Sequence, residues 1–176
     1  MKLKQMSASL FATILLLLIL EIITTALVPA LGIHKYKLAF HLLIVLFIGF
    51  KVETPFLPIM ILIIQLFHSA FTIEGWAYGT FAGVLVCIII GYVKDLLDFS
   101  STASTIVLTE IFQVVWFIIV AILIYLRLDS FDYILARLWR FIPESILLSL
   151  LSPFFFSLLD RIWKISDKGE GIGAKI

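Results

Sequence analysis

Leu10-Phe11-Ala12-Thr13-Ile14-Leu15-Leu16-Leu17-Leu18-Ile19-Leu20-Glu21-Ile22-Ile23-Thr24-Thr25-Ala26-Leu27-Val28 carries a single charge, Glu21, and ends at Pro29. A bilayer hydrocarbon core about 30 Å thick is crossed by about 20 helical residues, so this stretch reads as a transmembrane helix. Met1-Lys2-Leu3-Lys4 precedes it in the manner of a signal peptide. The apolar run exceeds the roughly 7–15 residues of a signal h-region, and no clear A-x-A cleavage site follows. A retained first span is the expectation.

The rest of the chain is of the same kind. Of its 176 residues 62% are apolar and 14% charged, where a soluble domain has about 45–50% and about 25%. Mean hydropathy is +1.18. A soluble fold of this size could not hide so much apolar surface, which leaves a polytopic membrane protein. Net charge is +1, so there is no basic field to gather nucleic acid. The single cysteine, Cys87, excludes an internal disulfide and a multi-cysteine metal site; among its apolar neighbours it reads as a packing residue.

Five further spans follow, at about 38–50, 55–71, 76–93, 105–126 and 144–159. The second and third are short and joined by Lys51-Val52-Glu53-Thr54, a helical hairpin for which a re-entrant pair is the alternative. Residues 1–165 thus form one six-span domain, with 166–176 a polar cytoplasmic tail. With the N-terminus inside, Lys2, Lys4, Lys51, Lys94, Arg161, Lys164, Lys168 and Lys175 fall on the inner side. Lys35, Lys37, Arg127, Arg137 and Arg140 fall outside. Eight against five places both termini in the cytoplasm by the positive-inside rule.

Between Arg127 and Ile142 the pattern changes. Leu128, Phe131, Leu135, Leu138 and Ile142 recur near helical spacing, with Arg127, Asp129, Asp132, Arg137 and Arg140 on the remaining face. With Tyr133 and Trp139 this predicts an amphipathic helix lying in the outer interface before a turn at Pro143. A helical extension of the fifth span is the alternative. The fold class expected is an all-α six-helix bundle with that interfacial helix before the last span.

No phosphate-cradling glycine loop, H-E-x-x-H or G-x-S-x-G is present, so no catalytic constellation is read. His34, His41 and His68 lie in or beside different spans, and nothing in the sequence brings them together as a metal site. No cofactor, vitamin or metal is expected, because no converging set of polar ligands is visible. The intramembrane polar residues Glu21, Gln65, His68 and Glu110, with His41 at the start of the second span, are the informative remainder, because such groups are costly in lipid unless paired or wetted. They read either as a polar cavity or partner site, or as helix-to-helix hydrogen bonding. Gly79, Gly83, Cys87 and Gly91 recur every four residues with Asp95 continuing the row, a small-residue stripe that lets another helix approach. Packing within the chain is the default reading of that stripe. Asp95, disfavoured at a helix C-terminus, should find a partner in the Ser100–Ser104 turn. Ala8 and Ala12 make a weaker pair.

Six short spans with both ends inside resemble MreD, the rod-shape-determining membrane protein family of bacteria. Gly91-Tyr92-Val93-Lys94-Asp95-Leu96-Leu97 followed by Phe99-Ser100-Ser101-Thr102 is similar to that family's glycine, Asp-Leu and short Ser/Gly turn, with Ala103-Ser104 departing from the expected Leu-Gly. Leu151-Ser152-Pro153-Phe154-Phe155-Phe156-Ser157-Leu158-Leu159-Asp160-Arg161 is similar to its closing span. The resemblance implies a non-catalytic scaffold of cell-wall elongation in the bacterial inner membrane. Its partners would be MreC and, through it, MreB, RodA and a penicillin-binding transpeptidase. The family is related in fold to the substrate-binding subunits of energy-coupling-factor vitamin transporters, so a membrane-embedded small-molecule-binding subunit is the alternative. A proton-coupled carrier using Glu21 and Glu110 is a third class, without the internal repeats or broken helices that would support it.

Overall fold

The computed structural model describes residues 3–27, 30, 38–52, 54–72, 75–94, 101–128 and 131–163. Among these residues there are six α-helices and no strand: α1 Leu3–Ile22, α2 Phe40–Lys51, α3 Leu57–Ser69, α4 Trp76–Val93, α5 Thr102–Leu128 and α6 Phe131–Trp163. A π-helical turn, Ile23–Leu27, continues α1. Four helices are long and apolar enough to cross a membrane: Met6–Ala26, Trp76–Val93, Thr102–Arg127 and Phe131–Trp163. The chain is a multi-pass membrane protein.

At 12 and 13 residues, α2 and α3 are only about 18 and 20 Å long. Lipid does not set the length of α2, because lipid scarcely touches it. Every residue from His41 to Ile48 is buried, as expected of a helix that is apolar all round. It packs against all five other helices. Phe47 meets Phe156 at 5.7 Å, Phe40 meets Phe155 at 5.7 Å, and Phe50 meets Phe112 at 5.3 Å, the rings of each pair tilted or edge-on. Proline in the first turn of α3 and Gly75 ahead of α4, at φ 76°, set the turns at either end of α3. Ser101 caps α5, its hydroxyl accepting the backbone N–H of Ser104 at 3.0 Å.

The outer faces are apolar in stripes. Along α5, Val107, Ile111, Val114, Ile118 and Ile122 are all exposed at steps of three or four residues, the signature of one helix side turned to lipid. At the other end of the bundle, Trp163 Nε1 donates to Thr13 Oγ1 at 3.0 Å, and Ser9 Oγ donates to the Ile162 carbonyl at 3.2 Å. These bonds tie the last turn of α6 to α1.

The segment expected to be a separate interfacial helix is the first part of α6. The chain does not turn at Pro143; one helix of 33 residues runs through Pro143 and Pro153, about 50 Å long. A proline inside a helix removes the hydrogen bond to the carbonyl four residues back. At Pro153 that carbonyl belongs to Ser149, and the Ser152 hydroxyl donates to it at 2.7 Å. Hydroxyl rescue of this kind is how membrane helices tolerate proline.

Candidate functional site

The small-residue row on α4 is largely consumed by the bundle. A Cβ on Gly79 would collide with Gln65 Oε1, and one on Gly83 would lie 2.8 Å from Ile61 Cγ2 and 3.1 Å from Trp116. Cys87 faces α2, where Gly49 leaves room for its sulfur, and donates to the Val45 carbonyl at 3.7 Å. Gly91 differs: among the described residues nothing lies within 4 Å of where its Cβ would be. Asp95 is outside the described residues.

Close approach of α3 and α4 at Gly79 positions Gln65 beside a cavity of about 620 Å³, within the range of ligand pockets. Its depth can be followed along two antiparallel helices. From floor to mouth α5 contributes Gln113, Trp116 and Val120 at successive turns, and α6 contributes Ser145, Phe141 and Arg137. Tyr133, Arg140 and Glu144 complete the α6 side. Amphipathicity in this segment is therefore turned inside out. Phe131, Leu135, Leu138 and Ile142 are exposed, while the polar side faces the cavity. Near the mouth Arg127 donates to the Tyr78 hydroxyl at 3.1 Å and sits 5.9 Å from the centre of its ring.

Polar groups at the floor fall into two sets. On one side Glu110 accepts from Ser145 at 2.9 Å and from Ser149 at 2.6 Å, while Gln113 Nε2 donates to Ser149 Oγ at 2.7 Å. For Glu110 this is helix-to-helix hydrogen bonding, with α6 supplying the donors. On the other side three helices converge. His68 Nδ1 of α3 lies 2.6 Å from Glu21 Oε1 of α1, and the His41 and His68 rings stack with centroids 3.5 Å apart and planes at 21°. Trp116 meets His41 edge-on at 6.0 Å. Glu21 is 1% exposed and His41 8%, so this trio sits inside the bundle. Both histidine rings line the cavity. Two amides add unspent hydrogen-bonding capacity: Gln65 Nε2 and Gln113 Oε1 are buried with no partner among the described residues.

Two of the three histidines thus come together, against the expectation from the sequence; His34 is outside the described residues. Gln113, Ser145 and Ser149 went unread in the sequence, although Ser145, Ser149 and Ser152 make a polar stripe on an apolar helix at three- and four-residue spacing. Arg137 and Arg140 line the cavity, whereas Trp139 points away from it and is 72% exposed. Comparison with known families, curated proteins and solved structures finds no match. Fold and site define a class, a multi-pass all-α membrane protein with a largely apolar cavity, carrying a few polar groups, between α2, α3, α4, α5 and α6.

Proposed function

We propose that this chain is a non-catalytic scaffold of the bacterial cell-wall elongation machinery, holding a partner's transmembrane helix in the inner membrane with both termini in the cytoplasm. The resemblance to MreD supplies the identity of that machinery. One structural observation carries the binding role: no described side chain between 131 and 142 is buried. Three turns of α6 place no fully buried residue in the core, Phe141 alone stacking on the buried Phe117 at 4.5 Å, yet they bear Trp139 and Arg140, residue types that anchor protein contacts. MreC is the expected partner, with MreB, RodA and a penicillin-binding transpeptidase reached through it. Gly91, with no described residue of its own chain over it, is a second place where a helix could approach closely.

The test is co-purification of an MreC-type partner with wild type and with Trp139→Ala/Arg140→Ala, alongside the thermal stability of each. Loss of the partner from a variant as stable as wild type supports the reading. Undiminished partner binding by that variant removes this surface from the mechanism.

The cavity favours a second reading, the membrane-embedded binding subunit of a small-molecule transporter. Native mass spectrometry separates the two: a stoichiometric organic ligand retained through purification favours the transporter subunit.

A further inference from the structure

We propose that Glu21, His41 and His68 form a binding site for a divalent transition-metal ion of the zinc type, reached through the cavity. The proposal stands apart from the question of which protein partner the outer surface takes.

Three helices each contribute one ligand residue, and the donor atoms lie within 4.8 Å of one another. Donors on a tetrahedral zinc ion, at about 2.0–2.1 Å from the metal, are about 3.3 Å apart. The three therefore need to shift by about an ångström. Two imidazoles and a carboxylate are a donor set suited to zinc and its neighbours rather than to calcium or magnesium, which take oxygen. The hydrogen bond between His68 Nδ1 and Glu21 Oε1, at 2.6 Å, places one proton where the ion would bind. Metal entry displaces that proton, to Nε2 of the ring where His68 is neutral and to solvent where the pair carries an extra proton, and leaves both atoms as ligands, the charge of Glu21 partly offsetting that of the ion. Two rings on one ion cannot stay stacked, because each ring plane must contain the metal. His41 turns about its Cβ–Cγ bond, a soft torsion with two broad wells, and the cavity it lines gives the ring room. The fourth coordination position faces that cavity, the arrangement of a zinc site that keeps an open position.

A carboxylate 1% exposed in a membrane helix and paired with a histidine is the kind of intramembrane residue that marks a functional site. The π-helical turn Ile23–Leu27 begins two residues after Glu21, and π-bulges within helices are frequent at functional sites.

The experiment uses the full chain without an affinity tag, freed of metal by chelation and held in phosphatidylcholine nanodiscs. It is titrated with cobalt(II) and then zinc(II). The expected result is one equivalent of cobalt giving the intense visible bands of a tetrahedral site, displaced by one equivalent of zinc. His41→Ala and His68→Ala should each weaken zinc binding by about 10–100-fold, the range that even supporting residues of metal sites command. Zinc should raise the melting temperature of wild type, a readout that survives if a variant fails to fold. Absence of both the cobalt bands and zinc-dependent stabilisation in wild type overturns the site. Binding that persists undiminished in both well-folded histidine variants overturns the assignment.

Discussion

At the scale of single residues, the glycine row on α4 separates internal packing from open surface. Gly83 lies against Ile61 and Trp116, and Gly91 faces no other described residue. Gly83→Leu should therefore lower stability by about 1–3 kcal/mol or more, the cost of overpacking, while Gly91→Leu should leave the melting temperature essentially unchanged; thermal denaturation in detergent measures both. A stable Gly91→Leu protein that loses its partner would assign this end of the row to an outside helix. A second prediction concerns the proline in α6. If the Ser152 hydroxyl replaces the donor missing at Pro153, Ser152→Ala costs about 0.6–1.7 kcal/mol in the native sequence. In the Pro153→Ala background it costs less, since residue 153 then supplies the backbone N–H. Additive effects in that double-mutant cycle would break the link between the two residues.

Element by element, the sequence and the structure agree where lipid imposes the pattern and part where packing does. Hydropathy marks the helices because a span must satisfy its own backbone over a fixed thickness, and residues 40–51 show their central position by being apolar on every side. The trio of Glu21, His41 and His68 was not legible. Each residue is alone on its helix, and only the rotation of three helices, set by contacts such as Gly79 on Gln65, brings them together. Glu110 with Gln113, opposite Ser145 with Ser149, was more readable, since both pairs repeat at helical spacing. Pro143 misled because proline ends helices in water, whereas α6 continues through it. That continuity is measurable. Spin labels at Leu135 and Leu150, both exposed, are separated by about 22 Å of backbone in one helix. A pulsed-dipolar distance near that value supports a single rod; a markedly shorter one would restore a turn at Pro143.

For the whole molecule the open matter is how α2 and α3 stand in the membrane. Two arrangements suit their length. In the first, both cross, with the bilayer excluded from α2 by its neighbours, and the turn between them reaches the cytoplasm. In the second, they enter from outside as a re-entrant pair and the turn stays within the bundle. The ends of the four long helices fall on the same sides in either case, so reporter fusions after Gly75, Asp98, Asp132 and Lys175 should read outside, inside, outside and inside whichever holds. The turn alone discriminates. Lys51 sits at the end of α2, and Pro55 and Phe56 are exposed, consistent with a polar exit to the basic-rich side. The sole native cysteine, Cys87, is buried, so background labelling is small and Cys87→Ala removes it. In that background Pro55→Cys should react with a membrane-impermeant maleimide in inverted vesicles and not in intact spheroplasts. A cysteine silent from both sides favours the re-entrant pair, and one labelled only from outside reverses the orientation of the whole bundle.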